Sequence, residues 1–481
     1  MTRTPSPSSL GSNLLLRTDS YKVSHWLQYP PGTQTVFSYI ESRGGAFSHA
    51  LFFGLQAYLR EYLSSPVTVA DVDEAAALMA VHGEPFNRAG WMRLIEKHGG
   101  YMPVRIRAVP EGSVVPVHNV LATIENTDPE FFWITSFLET ELLRAIWYPT
   151  TVATLSGAAK ATLLRYLEAT CDDPQGQIAF KLHDFGARGV SSLESAALGG
   201  MAHLVNFLGT DTLVALLAAR RYYDCDVAGF SIPAAEHSTI TGWGRDQESS
   251  AYRNMVEQFG KPGAVFAVVS DSYDIFNACD RIWGTELKAL VVQSGATLVV
   301  RPDSGDPTET VLKVAQILAA RFGTTTNAKG YRVLNHVRII QGDGINLDTL
   351  RLCLSNLFHN GFSAENIAFG MGGGLLQQVH RDTMQWAMKC SAMQVEGQWR
   401  DVFKSPVGDP GKTSKKGRLT LVRNAEGAME TVRLEARREG QDDLLETVFE
   451  NGMILSQTHF EAVRGRAAAG ARALITSRAP L

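Results

Sequence analysis

Thr297-Leu298-Val299-Val300-Arg301-Pro302-Asp303-Ser304-Gly305-Asp306-Pro307 is the stretch from which the rest of the chain can be read. Its first four residues favour a buried β-strand, and the next ones are Arg, Asp, Ser and Gly, ahead of a helical pattern over Thr308–Phe322. A strand of this kind carries polar groups to a rim.

The same order recurs three times nearby. Ala264–Val269 ends in Ser270-Asp271-Ser272, Val337–Ile340 ends in Gln341-Gly342-Asp343-Gly344, and Asn366–Phe369 ends in Gly370-Met371-Gly372-Gly373-Gly374. A segment able to form a helix follows each. Strands alternating with helices imply a parallel sheet, with functional side chains gathered at the carboxyl ends of its strands. Short turns alone would explain one such Gly/Asp cluster. Four in succession, holding Asp271, Arg301, Asp303 and Asp343, point to a site. The expected fold class is therefore α/β, a (βα) barrel or a doubly wound sheet, with the barrel-like domain over 151–390. A β-rich α+β second domain is expected from 13–150 plus 391–481, with 1–12 disordered.

Composition narrows the function. A formal charge of −4 argues against general binding to nucleic acid or to a membrane surface, so any anionic ligand must be met by locally placed cations. Five cysteines, an odd number without CxxC spacing, suit reduced thiols rather than a disulfide framework or a structural zinc site. The first residues are rich in Ser, Thr and Pro without an apolar core, and no stretch approaches the roughly 18 apolar residues of a membrane span. The expectation is a soluble cytoplasmic protein.

Outward from the barrel, Thr18-Asp19-Ser20-Tyr21-Lys22 is too polar for a core strand, whereas Thr35–Arg43 alternates like one. Helical patterns follow at 51–63, 69–81 and 87–97, then short strands over 103–125. Pro129–Tyr148 and Thr151–Thr170 read as two apolar helices belonging to the core. Lys404, Lys412, Lys415, Lys416 and Arg418 lie in a late loop rich in Pro, Gly and Ser, before the strand-like Leu419–Arg423.

Several constellations carry chemistry. Lys181-Leu182-His183-Asp184-Phe185-Gly186-Ala187-Arg188-Gly189 precedes a helix, so Arg188 and free backbone N–H groups can face one anion. Phe185 serves equally as a packing anchor or as a stacking surface for a flat ring. Asp211 either caps the next helix or accepts from a ligand amide. His237 sits among small residues with no zinc-ligand spacing around it, as a structural imidazole, a general base or a phosphoryl acceptor. Gly372-Gly373-Gly374 would let backbone amides approach phosphate oxygens, and Arg381, Lys389 and the late lysines are either solvated or phosphate-facing.

Together these blocks resemble the nicotinamide phosphoribosyltransferases of the type II phosphoribosyltransferase family. The likeness runs from about Leu14 to Phe449 and is carried by Thr18-Asp19-Ser20-Tyr21-Lys22-Val23, Glu125-Asn126-Thr127-Asp128-Pro129, Lys181–Gly186, Pro233–Thr239, Arg301–Gly305 and Ser414–Arg418. The resemblance implies an irregular (βα) barrel and transfer of phosphoribosyl from 5-phosphoribosyl-1-pyrophosphate to nicotinamide with Mg²⁺, giving the mononucleotide and pyrophosphate. It implies a homodimer in which Phe185 and Tyr21 of the partner subunit sandwich the pyridine ring, with composite sites that also draw on the basic C-terminal groups. Asp211 would accept the carboxamide N–H, and Arg301 would lie near ring and ribose. Asp303, Gly342 and Asp343 would address ribose hydroxyls or the metal. Arg188, Gly373, Arg381 and Lys389 would hold phosphates, with Gly372, Lys404 and Lys412 on the same side. His237 would be phosphorylated by ATP, a coupled co-substrate, with Asp271 orienting it.

Three positions depart from the family's pattern. Ala267 and Met371 stand where Ser is usual, and Ala387 lacks a phosphate-side hydroxyl. These bear on the tightness of amide and phosphate binding rather than on reaction class. The competing readings are a nicotinate-using relative, a non-catalytic nucleotide-binding homologue and a barrel hydrolase, the last weakened by the absence of metal-ligand clusters in the sequence.

Overall fold

The computed structural model describes residues 11–405, 408 and 413–474. The expected disordered segment 1–12 falls largely, and Lys412 wholly, outside the described residues. By internal contacts the chain divides into two compact units. One takes the chain up to Thr151 with Tyr222–Asp224 and His380–Gly470; the other takes Val152–Arg221, Cys225–Val379 and the chain from Ala471.

The second unit is the α/β part. Its sheet holds β1 (Leu182–Asp184), β2 (Gly209–Thr210), β3 (Val265–Val269), β4 (Thr297–Arg301), β5 (Val337–Gln341) and β6 (Ile367–Met371). Their order across the sheet is β2-β1-β6-β5-β4-β3, with every pairing parallel. The edge strands β2 and β3 do not pair directly. Between them runs 230–235, bridged in parallel to Gly209 and to Ala267, so the sheet curls into an irregular ring. Backbone bonds from Phe230 to Leu208 (2.7 Å) and from Ala235 to Ala267 (3.0 Å) hold that closing segment. Ala267, Val299 and Ile340, from three adjacent strands, form a buried inward cluster on which Phe185 and Ile232 pack.

The opening stretch folds as its residue types dictate. Leu298 and Val300 are fully buried in β4, and Gly305 turns the chain at φ +83°. Asp306 Oδ1 then accepts from the amides of Thr308 and Glu309 (2.8 and 3.2 Å), with Pro307 as the first residue of helix Pro307–Phe322. This is an N-cap followed by a residue whose missing N–H costs nothing there. Asn346 caps Leu347–His359 in the same way after β5.

The first unit is built on a seven-stranded sheet that mixes both ends of the chain. Thr33–Ser42 pairs antiparallel with Trp386–Val395 on one side and with Val120–Asn126 on the other. Val104–Ala108 and Glu446–Glu450 extend it. A boundary at 390 would cut Trp386–Val395 in two; the strand stays whole because its backbone partners all lie in Thr33–Ser42 and Gln398–Asp401.

One further expectation is corrected. Glu139–Thr170 is a single helix of 32 residues with Pro149 inside it, where two helices were expected. Gly54 makes room for the proline ring, since a Cβ there would lie 2.3 Å from Pro149 Cγ. Thr151 Oγ1 also donates to the Trp147 carbonyl at 2.5 Å. The first relieves the crowding of the ring; the carbonyl that Pro149 leaves without an intrahelical donor is that of Ala145, so the Thr151 bond is separate from it. Among the described residues no helix is long and apolar enough to cross a membrane.

Candidate active site

The carboxyl ends of β1 to β6 form one rim, because parallel strands in one sheet all point the same way. Phe185 follows β1 directly, its amide donating to the Met371 carbonyl at the end of β6 (3.1 Å). The turn beyond it is held by Asp184, whose Oδ1 accepts the Gly186 amide at 2.7 Å. Burial pushes that carboxyl up to about 6. The turn carries Arg188, exposed on the 3₁₀ segment Ala187–Gly189. That segment runs beside the glycine loop after β6, a Cβ on Gly189 lying 3.6 Å from the Gly373 amide nitrogen.

Arg301 is the hub of the rim. Its Nε and Nη2 bond the two oxygens of Asp303 at 3.0 and 2.9 Å. Its guanidinium carbon lies 5.3 Å from the centroid of Phe185, within cation–π range. Burial pushes the Asp303 carboxyl above its ordinary range, and the Arg301 cation offsets this only in part. Gly342 closes the group: a Cβ there would lie 3.3 Å from both Arg301 Nη2 and Asp303 Oδ1, and 3.4 Å from the Phe185 ring. Beside it Gln341 Nε2 donates to the Asp343 carbonyl (2.9 Å), while the Asp343 side chain is exposed.

His237 Nε2 stands 2.9 Å from Oδ1 of Asp271, the residue two beyond β3. A carboxylate can only accept, so Nε2 carries the proton of this bond, and in the neutral ring the lone pair is then on Nδ1. The imidazole is 50% exposed and the acid 4%, so an incoming molecule can reach the ring but not its partner. His237 opens a five-residue helix, His237–Thr241, where a loop was expected; a capping box between Glu236 and Thr239 forms it.

Asp211 is exposed and accepts from Ser231 Oγ at 2.6 Å, which leaves its second oxygen for a ligand. Its side chain caps no helix. Ser231 had drawn no separate role in the sequence, because nothing local relates positions twenty residues apart. Gly370 likewise carries no signal of its own in the sequence. A Cβ on it would sit 2.0 Å from Cε2 and 2.1 Å from Cδ2 of Phe185, so the bare backbone of β6 is what lets that ring lie where it does. In the sequence it is one more glycine in a glycine-rich run.

Phe185, Arg188, Asp211, His237, Asp271, Arg301, Asp303, Gly342, Asp343, Gly372 and Gly373 thus all belong to the rim of one unit. Tyr21, Arg381, Lys389 and Lys404 belong to the other. Tyr21 is 56% exposed on the 3₁₀ helix Ser20–Leu27, edge-on to His25 at 5.1 Å. Arg381 is exposed and paired with Asp382 (2.9 Å). Lys389 lies across from Tyr39 in the sheet, and burial lowers its ammonium's affinity for the proton. Lys404 is exposed, its backbone amide held by Ser414 Oγ at 3.0 Å.

The rim offers a flat aromatic face, a forked cation, carboxylates, backbone amides and an acid-oriented imidazole. No group of three His, Cys, Asp or Glu gathers into a metal cage among the described residues. A Mg²⁺ ion sharing its shell with substrate oxygens needs only one or two carboxylates; of those at this rim the Asp343 side chain is exposed, while both oxygens of Asp303 accept from Arg301.

Residues 180–453 match the model of the nicotinate phosphoribosyltransferase family, and 13–106 match the N-terminal domain model of nicotinamide phosphoribosyltransferase. The chain is 60% identical to the nicotinamide phosphoribosyltransferase of Xanthomonas campestris pv. campestris, over 95% of its own length and 98% of that relative. It is 32% identical to that of Acinetobacter baylyi, over 95% and 97%. In fold it resembles the crystal structure of a nicotinate-nucleotide pyrophosphorylase from Pyrococcus furiosus, with TM-score 0.61 at 17% identity over 99% of this chain and 100% of that one. Human nicotinic acid phosphoribosyltransferase has TM-score 0.53 at 17% identity, over 94% and 93%.

Proposed function

We propose, from the premise that this chain belongs to the nicotinate phosphoribosyltransferase family, that it transfers phosphoribosyl from 5-phosphoribosyl-1-pyrophosphate to the ring nitrogen of nicotinamide. The chain is a pentosyltransferase of NAD biosynthesis. The observation that carries the choice of pyridine is the Asp211 carboxylate held by Ser231 on the same rim as Phe185. An amide can donate to it, whereas a pyridine carboxylate would be repelled.

In the reaction the bond from C1 to pyrophosphate breaks and the pyridine nitrogen bonds to C1. Positive charge develops on the ribose and negative charge on the leaving oxygens, so the latter must meet fixed donors and cations. Arg188 and the amides of Gly372 and Gly373 supply them on this rim, with Arg381, Lys389 and Lys404 as further phosphate ligands. Arg301 and Gly342 position ring and ribose. Asp303 and Asp343 would hold Mg²⁺, which would spread the charge of the pyrophosphate. The protein acts as a homodimer, with Tyr21 of the partner subunit on the ring face opposite Phe185.

His237 is the phosphoryl acceptor. Nδ1 attacks the γ-phosphorus of ATP, the bond to the β,γ-bridging oxygen breaks, and ADP leaves while Asp271 steadies the ring's growing positive charge. The phosphorylated imidazole then adds negative charge beside the metal and strengthens substrate binding. The test measures mononucleotide formation with nicotinamide, the ribosyl donor and Mg²⁺, with and without ATP. Wild type is expected to make product in both and more with ATP, and His237→Ala to lose the stimulation alone. Stimulation persisting without the imidazole removes it as acceptor.

Gly370→Ala tests the stacking face. The added methyl must push the Phe185 ring away from β6. KM for nicotinamide is expected to rise about tenfold or more, the size of a lost aromatic stack plus strain. KM for the ribosyl donor should change far less, and equal rises in both would contradict the role given to the ring.

A further inference from the structure

Behind His237 runs a line of buried groups that the reaction above does not use. Ser270, fully buried, closes β3 just before Asp271. Its amide donates to the Arg301 carbonyl and its Oγ to the Val268 carbonyl, both at 3.0 Å. The same Oγ accepts the indole N–H of Trp283, also at 3.0 Å. Trp283 is fully buried in Ala278–Glu286, a π-helix of nine residues. Its ring stacks on Tyr252 at 4.6 Å and 9°, and the Tyr252 hydroxyl donates to Glu248 at 2.9 Å. Tyr252 stands in helix Glu248–Phe259, which packs on the short helix opened by His237.

Three hydrogen bonds therefore clamp the residue from which Asp271 departs, and one of them ties it to the backbone of Arg301. An acid that steadies a ring while that ring changes charge must stand within about 0.5 Å of its working place. Asp271 has His237 as its side-chain partner, so its own backbone has to supply the rest of the constraint. The π-helix supports this reading. Such turns are rare and occur frequently at functional sites, and here one carries the indole that reaches Ser270. The stack on Tyr252 restrains the indole so that its N–H stays aimed.

We propose that Ser270 and Trp283 are positioning residues for the His237–Asp271 pair, setting the efficiency of ATP-dependent phosphorylation separately from phosphoribosyl transfer itself. The inference rests on His237 being the phosphoryl acceptor.

The experiment follows phosphohistidine formation from γ-labelled ATP, and in parallel product formation without ATP, in wild type, His237→Ala, Trp283→Phe, Ser270→Ala and the double variant. Phe keeps a ring on Tyr252 but removes the indole's second ring along with the donor, so the melting temperature of each variant is measured alongside. Phosphorylation is expected to vanish in His237→Ala, to fall about tenfold in Trp283→Phe, the size of one lost buried hydrogen bond, and at least as far in Ser270→Ala, which also gives up the bond to the Val268 carbonyl. Transfer without ATP should stay within about twofold in Trp283→Phe and in Ser270→Ala, and the double variant should fall no further than Ser270→Ala, in which the bond to Trp283 is already lost. Equal loss of both activities would mark the pair as ordinary core and overturn the inference, as would undiminished phosphorylation in Trp283→Phe. Wild type that forms no phosphohistidine would sink the reading of His237, and the inference with it; the arm that fails tells the two apart.

Discussion

Arg301→Ala is expected to lower kcat/KM for phosphoribosyl transfer by about 10³-fold, in line with losing a preorganised charge at a developing transition state. One planar cation does two things here. It bonds both oxygens of Asp303 and it lies over the ring of Phe185. Alanine removes both and leaves a half-buried carboxylate without its cation, so the Asp303 carboxyl, already raised by burial, rises further. Lysine keeps the charge but not the fork, and it should recover little. The double variant Arg301→Ala with Asp303→Asn separates stability from catalysis. Its melting temperature should exceed that of Arg301→Ala, since no unpaired charge remains, while its activity stays low. Activity within tenfold of wild type in Arg301→Ala would place the guanidinium away from the reacting atoms.

Asp211→Asn should lower the preference for nicotinamide over nicotinate by a factor between about 10 and 1,000. Two unit charges 4 Å apart repel by roughly 4 kcal/mol at an effective dielectric of 20, and the exposure of Asp211 before substrate arrives takes the expected effect below that ceiling. Asn keeps the size of the side chain and can still accept from Ser231, so the rim need not rearrange. The change should lie mostly in nicotinate, whose KM falls. Competing the two pyridines in one reaction and weighing the two products gives the ratio directly. An unaltered ratio would take Asp211 out of pyridine recognition.

Much of this rim was legible before any coordinates. Arg301, Asp303, Asp271 and Gly342 each follow an apolar run that reads as a strand, and the alternation with helices implies that those runs are parallel. Phe185 stays open between packing and stacking in the sequence; the structure shows it packed on Ile232 and the inward cluster, with the Arg301 guanidinium 5.3 Å from its centroid. The proline in Glu139–Thr170 misled the boundary there, because its compensation comes from Gly54, far away in sequence. A local rule was overridden by a nonlocal fit.

Residue order alone determined the kind of fold and the groups that end at a strand's tip, because hydrophobic periodicity records which side of a segment is buried, and that is a local property. Tertiary structure decided which tips are neighbours. β6 lies beside β1, so Gly370 meets Phe185; the segment 230–235 closes the ring, so Ser231 meets Asp211; His237 reaches Asp271 from another element. Backbone hydrogen bonds between distant strands make those choices. Backbone groups are alike in nearly every residue, so the choices leave no local mark in the sequence.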